Sequence, residues 1–280
     1  MPQPRRARNR WLKVHYLWQS FSWRDTLPPV AFLLFMGAGL LVPLRRMGRP
    51  VLPRVFARVV RNLVVAAPGL LLFKVALLAL PLATAAWCVR HHFGLLQALH
   101  WPHWAEVLCG FLALDLAYYY WHRATHIVPF LWRFHGVHHL DGEMDASTAA
   151  RFHFGEILLS IPFRCAIVAL LGVDAFTLLT YEVCFELATL FHHSNWRLPA
   201  RLEVGLAHCL VTPRLHGIHH GDQWDQTNSN WSTIFSWWDR LHRTFRLDIP
   251  QDALRLGTPD LGTDEGLSVT QILALPFKRR

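Results

Sequence analysis

The spacing of its histidines constrains this chain more than any other feature. Three clusters stand out: His122-Arg-Ala-Thr-His126, His135-Gly-Val-His138-His139 and His216-Gly-Ile-His219-His220. A fourth group, His192-His193-Ser194-Asn195, lies between the second and the third. On a helix, residues three and four apart share a face. Each cluster is therefore expected to aim its imidazoles at one point. If the clusters meet, they supply more nitrogen donors than one tetrahedral zinc accepts, and the count suits two metal ions sharing a site. Such a meeting requires helices that all deliver their histidine-bearing ends to one face.

Composition says what kind of helices these are. The chain is 52% hydrophobic and only 17% charged, with 13 tryptophans; charged residues make up about a quarter of an ordinary globular chain. The deficit points to a membrane protein. The net charge of +9 is carried mostly by arginine. Apolar spans make anionic lipid headgroups the expected partner of that charge, and no nucleic-acid partner is expected. The five cysteines include no C-x-x-C pair, and their odd number within apolar runs argues against a disulfide framework. No cleaved signal peptide is expected, because no short apolar core with a small-residue cleavage site follows the basic start.

Apolar runs occupy residues 27–44, 63–89, 104–121, 157–172 and 175–191. A span needs about 20 apolar residues. The second run is long enough, though Pro68, Lys74 and Pro81 interrupt it. The last two are short, and Gly172-Val173-Asp174 joins them into a tight helical hairpin. Residues 45–61 carry six arginines, which by the positive-inside tendency face the cytoplasm. The second run then leads out and the third returns, placing His122 at the cytoplasmic end. The hairpin brings His192 and His193 back to the same side. Residues 5–13 are also basic, so run 27–44 reads equally as a span or as a re-entrant or interfacial helix.

The third run ends in a stripe of Asp115, Tyr119, His122 and His126. A carboxylate inside a span is expensive and usually functional or paired. Asp115 is expected to accept a proton from the far nitrogen of a metal-binding histidine and so fix its tautomer; a helix polar contact is the plainer alternative. A closed zinc site has four ligands, fewer than the donors available here. Transporters place ligands near the bilayer midplane, whereas these clusters fall at helix ends. Imidazole suits zinc, copper, iron and nickel alike. An all-imidazole set would leave an iron pair electron-poor, which is compatible with strong oxidation chemistry.

The order Asp115, His122-x3-His126, His135-x2-His138-His139, His153-x2-Glu156, His193-Ser-Asn195, His216-x2-His219-His220 and Trp238-Asp239-Arg240 resembles the fatty acid hydroxylase / sterol desaturase superfamily. The match runs from the third run to Thr244. One position departs from it: the family often has proline after the histidine of Arg151-Phe152-His153-Phe154-Gly155-Glu156, where this chain has Phe154. The resemblance implies an integral-membrane enzyme with a cytoplasmic di-iron centre. It would use O2 and electrons to hydroxylate a fatty acyl chain, a sterol or a lipid headgroup, or to desaturate one from the same site. By the match, His122, His126, His135, His138, His139, His193, His216, His219 and His220 would be ligands, and His192 a further ligand or an adjacent polar residue. Asp115, His153, Glu156 and Asn195 would support them, with a helix-start contact as the other reading of His153 and Glu156. Two iron ions are implied, with zinc able to replace them in recombinant protein.

The expected fold is all-α: integral-membrane helical hairpins carrying a His-rich cytoplasmic cap. Residues 1–62 form a basic N-terminal region, 63–247 the membrane di-iron domain and 248–280 a tail, read as a surface arm with a short membrane-facing helix. Asp239 and Arg240 are expected to form a local salt bridge. His91, His92, His100 and His103 sit among Trp101 and Trp104 as an interfacial belt on the far side. No flavin or nicotinamide glycine fingerprint and no fused b-type cytochrome segment occurs, so electrons must come from a separate ferredoxin, or from a b-type cytochrome with its reductase. A membrane metal-binding protein without redox chemistry, such as a zinc sensor or transporter, is the reading from a different class.

Overall fold

The computed structural model describes residues 22–45, 52–72, 76 and 78–278. The expectation for residues 5–13 lies outside them, as do Arg46 and Arg49. Among the described residues the chain is helical, with isolated bridges in place of strands. The long elements are α1 (Ser22–Leu41), α2 (Leu52–Leu72), α3 (Ala79–His91), the short α4 (Leu95–Leu99) and α5 (His103–Ile127). Next come α6 (Pro129–His139), α7 (Phe154–Leu171) and α8 (Ala175–His193). Short helices complete the chain: α9 (Ala200–Ala207), α10 (Pro213–His219), α11 (Trp224–Thr227), α12 (Trp237–Leu241) and α13 (Val269–Ala274).

Local chemistry sets the breaks that matter. Val128 precedes Pro129 and takes an extended conformation, φ −93° and ψ 112°, as a residue before proline prefers. It ends α5, and Pro129 opens α6 at a position where its missing N–H costs nothing. The chain thus turns sharply between the His122/His126 pair and the box at 135–139. Gly172 ends α7 in the left-handed region, φ 69°, and Asp174 caps α8 by accepting from the Thr177 N–H, so the expected hairpin forms. Within run 63–89 the described residues belong to two elements, α2, described to Leu72, and α3, from Ala79.

A buried apolar cluster of Ala85, Leu96, Leu114, Tyr118, Val168, Leu178 and Tyr181 binds α3, α4, α5, α7 and α8 into one bundle. α1 packs along α8 through Ala31 and Leu190, with Phe35 against Phe191. Outside, the bundle is apolar: Leu33 and Leu34 on α1, Phe56 and Leu71 on α2, Leu108 on α5 and Leu170 on α7 are exposed. Two helices, α2 and α7, are long and apolar enough to cross a membrane. At roughly 1.5 Å per residue, α7 and α8 each run nearly the thickness of a bilayer core.

The histidine-bearing end of the bundle is capped by α6, α9–α13 and their connections. This layer is tied by buried charge. Arg58 of α2 pairs with Asp141 and Asp145. Arg151, fully buried, binds Asp264 at 2.6 Å, the Asn62 side chain and the Val137 carbonyl. Burial pushes the Asp141 carboxyl up, but Arg58 and Arg151 beside it outweigh this and hold it below the usual range. Part of the arginine-rich 45–61 segment is therefore neutralised inside the cap.

The tail differs from its expected role as a surface arm. Asp264 pairs with Arg61 and Arg151, Ile272 of α13 is buried against Val65 and Val137, and the Gly257 N–H donates to the His220 carbonyl. Buried ion pairs and an apolar contact make residues 248–278 a structural part of the cap.

Candidate metal centre

All four histidine clusters meet under this cap. α5 contributes His122 and His126 from its last turns, α6 contributes His135, His138 and His139, the end of α8 contributes His192 and His193, and α10 with its cap contributes His216, His219 and His220. Ring nitrogens of His122, His126, His135, His139 and His219 lie within 4.8 Å of one another and form a first group; those of His138, His193, His216 and His220 form a second.

The sharing corrects one expectation. The His122/His126 pair does aim both imidazoles at one group, but neither three-histidine box aims all of its imidazoles at one point. His135 and His139 enter the first group while His138 turns to the second; His216 and His220 enter the second while His219 turns to the first. A helix advances about 100° per residue. Positions i and i+4 are therefore only about 40° apart, but i+3 and i+4 are about 100° apart. The boxes at 135–139 and 216–220 each straddle the two groups, and the groups are held beside each other by these shared helices.

The donors suit metal. His126 and His139 have both ring nitrogens buried without a partner, as are Nε2 of His135 and His219 and Nδ1 of His138, His216 and His220. Leaving a buried polar atom unsatisfied costs about 1–3 kcal/mol, so a pocket lined with so many is matched to a cation. In the second group, Nε2 of His193 lies 3.0 Å from Nε2 of both His138 and His216, and His220 Nε2 lies 3.2 Å from that of His216. Burial, and then the neighbouring imidazoles, hold His138, His139, His216, His219 and His220 well below the ordinary histidine value. They are neutral at physiological pH, as metal ligation requires.

Several imidazoles are oriented by acceptors behind them. A carbonyl or carboxylate can only accept, so the facing nitrogen carries the proton and the other presents its lone pair. Nδ1 donates to Glu156 Oε1 from His135 (2.9 Å), to the Thr189 carbonyl from His193 (2.8 Å), to the Trp231 carbonyl from His122 (2.7 Å) and to the Ser229 carbonyl from His219 (2.8 Å). His192 is buried beside His216, with Nδ1 3.2 Å from the Thr233 carbonyl, but stands outside both groups.

The supporting residues separate. Glu156 does reach a member of the first group. Asp115 reaches no histidine: its carboxylate accepts from Trp238 Nε1 at 2.7 Å, the Phe235 N–H and the Tyr181 hydroxyl, and so anchors the cap on the bundle. Its stripe position was legible, but its cap partners Phe235 and Trp238 lay 120 and 123 residues away in sequence. His153 caps α7: Nδ1 accepts from the Gly155 N–H and Nε2 donates to the Leu273 carbonyl, which occupies both nitrogens. Phe154 follows at the first helical position, where proline is also at home. Asn195 clamps the Arg45 backbone on both sides. Asp239 and Arg240 form no salt bridge with each other. Arg240 lies over the Phe245 ring and donates to the Ala207 carbonyl, while Asp239 accepts from backbone N–H groups. The groups that sequence reasoning missed are the carbonyls of Thr189, Ser229, Trp231 and Thr233, which leave no side-chain signature.

Comparison with known proteins agrees with this arrangement. The fatty acid hydroxylase family matches residues 107–244. Ornithine lipid hydroxylase OlsE of Rhizobium tropici is 29% identical over 64% of this chain and 53% of its own. Alkylglycerol monooxygenase of Danio rerio is 30% identical over 63% of this chain and 37% of its own, and cholesterol 25-hydroxylase of Mus musculus 30% over 51% and 47%. The chain spans about half the length of these relatives or less. No solved structure matches. The family match encloses every member of both histidine groups, so residues 107–244, about half of the chain, belong to the fatty acid hydroxylase family.

Proposed function

We propose that the protein is a multi-pass membrane oxidoreductase that hydroxylates a lipid with O2 at a di-iron centre facing the cytoplasm. The observation that carries this is the pair of adjacent buried imidazole groups, joined by boxes that contribute to both. His122, His126, His135, His139 and His219 would hold one iron, and His138, His193, His216 and His220 the other, with His192 in reserve beside the second. Bound iron supplies O2 activation and one-electron redox chemistry that no side chain here can supply.

The chain's own contribution is positioning and exclusion of water. Glu156 and the backbone acceptors fix the protonated nitrogen of four imidazoles, so their lone pairs point inward without rearrangement. The apolar exterior of α1, α2, α5 and α7 keeps the protein in the bilayer, where the lipid carbon to be oxidised also lies. The relatives' names cover an ornithine lipid, an alkylglycerol and cholesterol; an acyl chain, sterol or headgroup substrate is in keeping with these. Electrons come from a separate donor, a ferredoxin or a b-type cytochrome with its reductase.

Protein purified with iron, supplied with a chemical reductant and lipid extract under 18O2, is expected to yield a lipid carrying one labelled oxygen. Two bound metals with no O2 consumption and no labelled lipid would instead favour a non-redox metal-binding protein.

A further inference from the structure

The stretch 229–233 carries three acceptors in alternation. The carbonyls of Ser229, Trp231 and Thr233 face Nδ1 of His219, His122 and His192, at 2.8, 2.7 and 3.2 Å. Something must hold this stretch, since a carbonyl orients an imidazole only as well as it is itself oriented. Asp239, 1% exposed, does so. Its Oδ2 accepts from the Ser232 N–H at 3.0 Å and its Oδ1 from the Trp231 N–H at 2.9 Å. Thr244 Oγ1 donates to Oδ1 at 2.7 Å, and the Asp239 N–H donates to Ser232 Oγ.

Peptide geometry makes this grip directional. The Trp231 carbonyl and the Ser232 N–H belong to one planar unit. Fixing the N–H on Asp239 fixes the carbonyl that holds His122. The Ser229 carbonyl shares its unit with the Asn230 N–H, which donates to the Thr244 carbonyl. Asn230 itself sits at φ 53°, a region asparagine tolerates better than most residues, and its side chain donates to the Leu215 and Arg246 carbonyls and accepts from the Arg246 N–H. No carbonyl of this stretch faces a ring nitrogen of the second group. His193 is oriented from within α8 by Thr189, and Nδ1 of His138, His216 and His220 has no partner there.

We infer that Asp239 is a positioning residue for the first histidine group alone, acting through the Trp231–Ser232 peptide on His122 and, with Thr244, through Ser229 on His219. The inference rests on the two-metal reading above. It assigns Asp239 to one of two metals, a division that neither the motif nor a general structural role provides.

The test uses Co2+-loaded full-length protein in detergent and follows release of the ion to a chelator. His139→Ala and His220→Ala identify which kinetic phase belongs to which group. Asp239→Asn, close in shape, is expected to accelerate the first-group phase about tenfold or more and leave the second unchanged; the unchanged phase also reports that the cap is folded. Ser232→Ala, which removes only the hydroxyl that receives the Asp239 N–H, should accelerate the same phase by less. Equal acceleration of both phases, or of neither, overturns the inference. Wild-type protein that takes up fewer than two ions overturns the two-metal reading and, separately, removes its basis.

Discussion

The box at 135–139 and the box at 216–220 share one pattern, yet they divide their imidazoles between the two groups in opposite senses. The first gives its outer pair, His135 and His139, to the first group and His138 to the second. The second gives His216 and His220 to the second group and His219 to the first. Helical rotation forces the split, because the third histidine of the box lies about 100° from the fourth. What differs is where each box is mounted. The first lies on α6, directly after the α5 turn at Val128-Pro129, and faces the His122/His126 pair. The second lies on α10, capped by Thr212, and faces the end of α8. Their glycines differ too. A Cβ on Gly217 would stand 2.1 Å from Nη1 of Arg45, which is held by the Pro213 carbonyl and Gln251. A Cβ on Gly136 would meet only Trp132, at an ordinary 3.6 Å. Equal spacing thus conceals unequal surroundings.

The largest expected effect would break this comparison outright. His139→Ala and His219→Ala should each abolish lipid oxidation and deplete one and the same metal; His138→Ala and His220→Ala should deplete the other. Double variants within a pair, such as His139→Ala with His219→Ala, should still retain one metal, whereas His138→Ala with His139→Ala should retain none. Metal content per chain settles the pairing. Depletion that followed the boxes instead of the groups would refute it.

Acid should act on both boxes together. In the metal-free folded protein five cap imidazoles titrate well below the ordinary 6.5, because of burial and then mutual repulsion. Below pH 6.5 the unfolded chain binds protons that the folded chain does not, so folding stability falls as pH drops. Thermal unfolding of metal-free protein in detergent should therefore shift to lower temperature between pH 7 and 5.5, and scarcely move between pH 7 and 8. A flat profile below pH 6.5 would mean the groups are not buried as described.

A narrower difference follows from what stands behind the rings. His135 leans on Glu156, while Nδ1 of His216 in the equivalent place has no partner. Glu156→Ala is expected to weaken the first-group metal by about 10- to 100-fold, read as competition with a chelator, with no change at the second. The smallest effect concerns the glycines. Gly217→Ala must displace buried Arg45 and lose its hydrogen bonds, about 1–3 kcal/mol, while Gly136→Ala should be neutral or stabilising by up to about 1 kcal/mol, as alanine is the better helix former. Chemical denaturation of the two variants compares them directly.

Much of this was open to reading from residues alone. The 3- and 4-residue spacing of histidines, the proline at 129 and the Gly172-Val173-Asp174 turn depend on interactions within a few residues, so they specify helices, their breaks and the kind of donor at their ends. The apolar runs and low charge likewise fix an all-helical chain with an apolar exterior. Which histidine joins which group was not readable by looking along each box for one aim point, because that division needs the angle between helices from distant parts of the chain. The same holds for Asp115, whose partners Trp238 and Phe235 are 123 and 120 residues away, for the tail, whose burial depends on Val65, Val137 and Arg151, and for the 229–233 carbonyls, since backbone acceptors carry no sequence signature. Local geometry is set by neighbours in the chain; the sharing of two donor groups among four helix ends is set only when those ends pack.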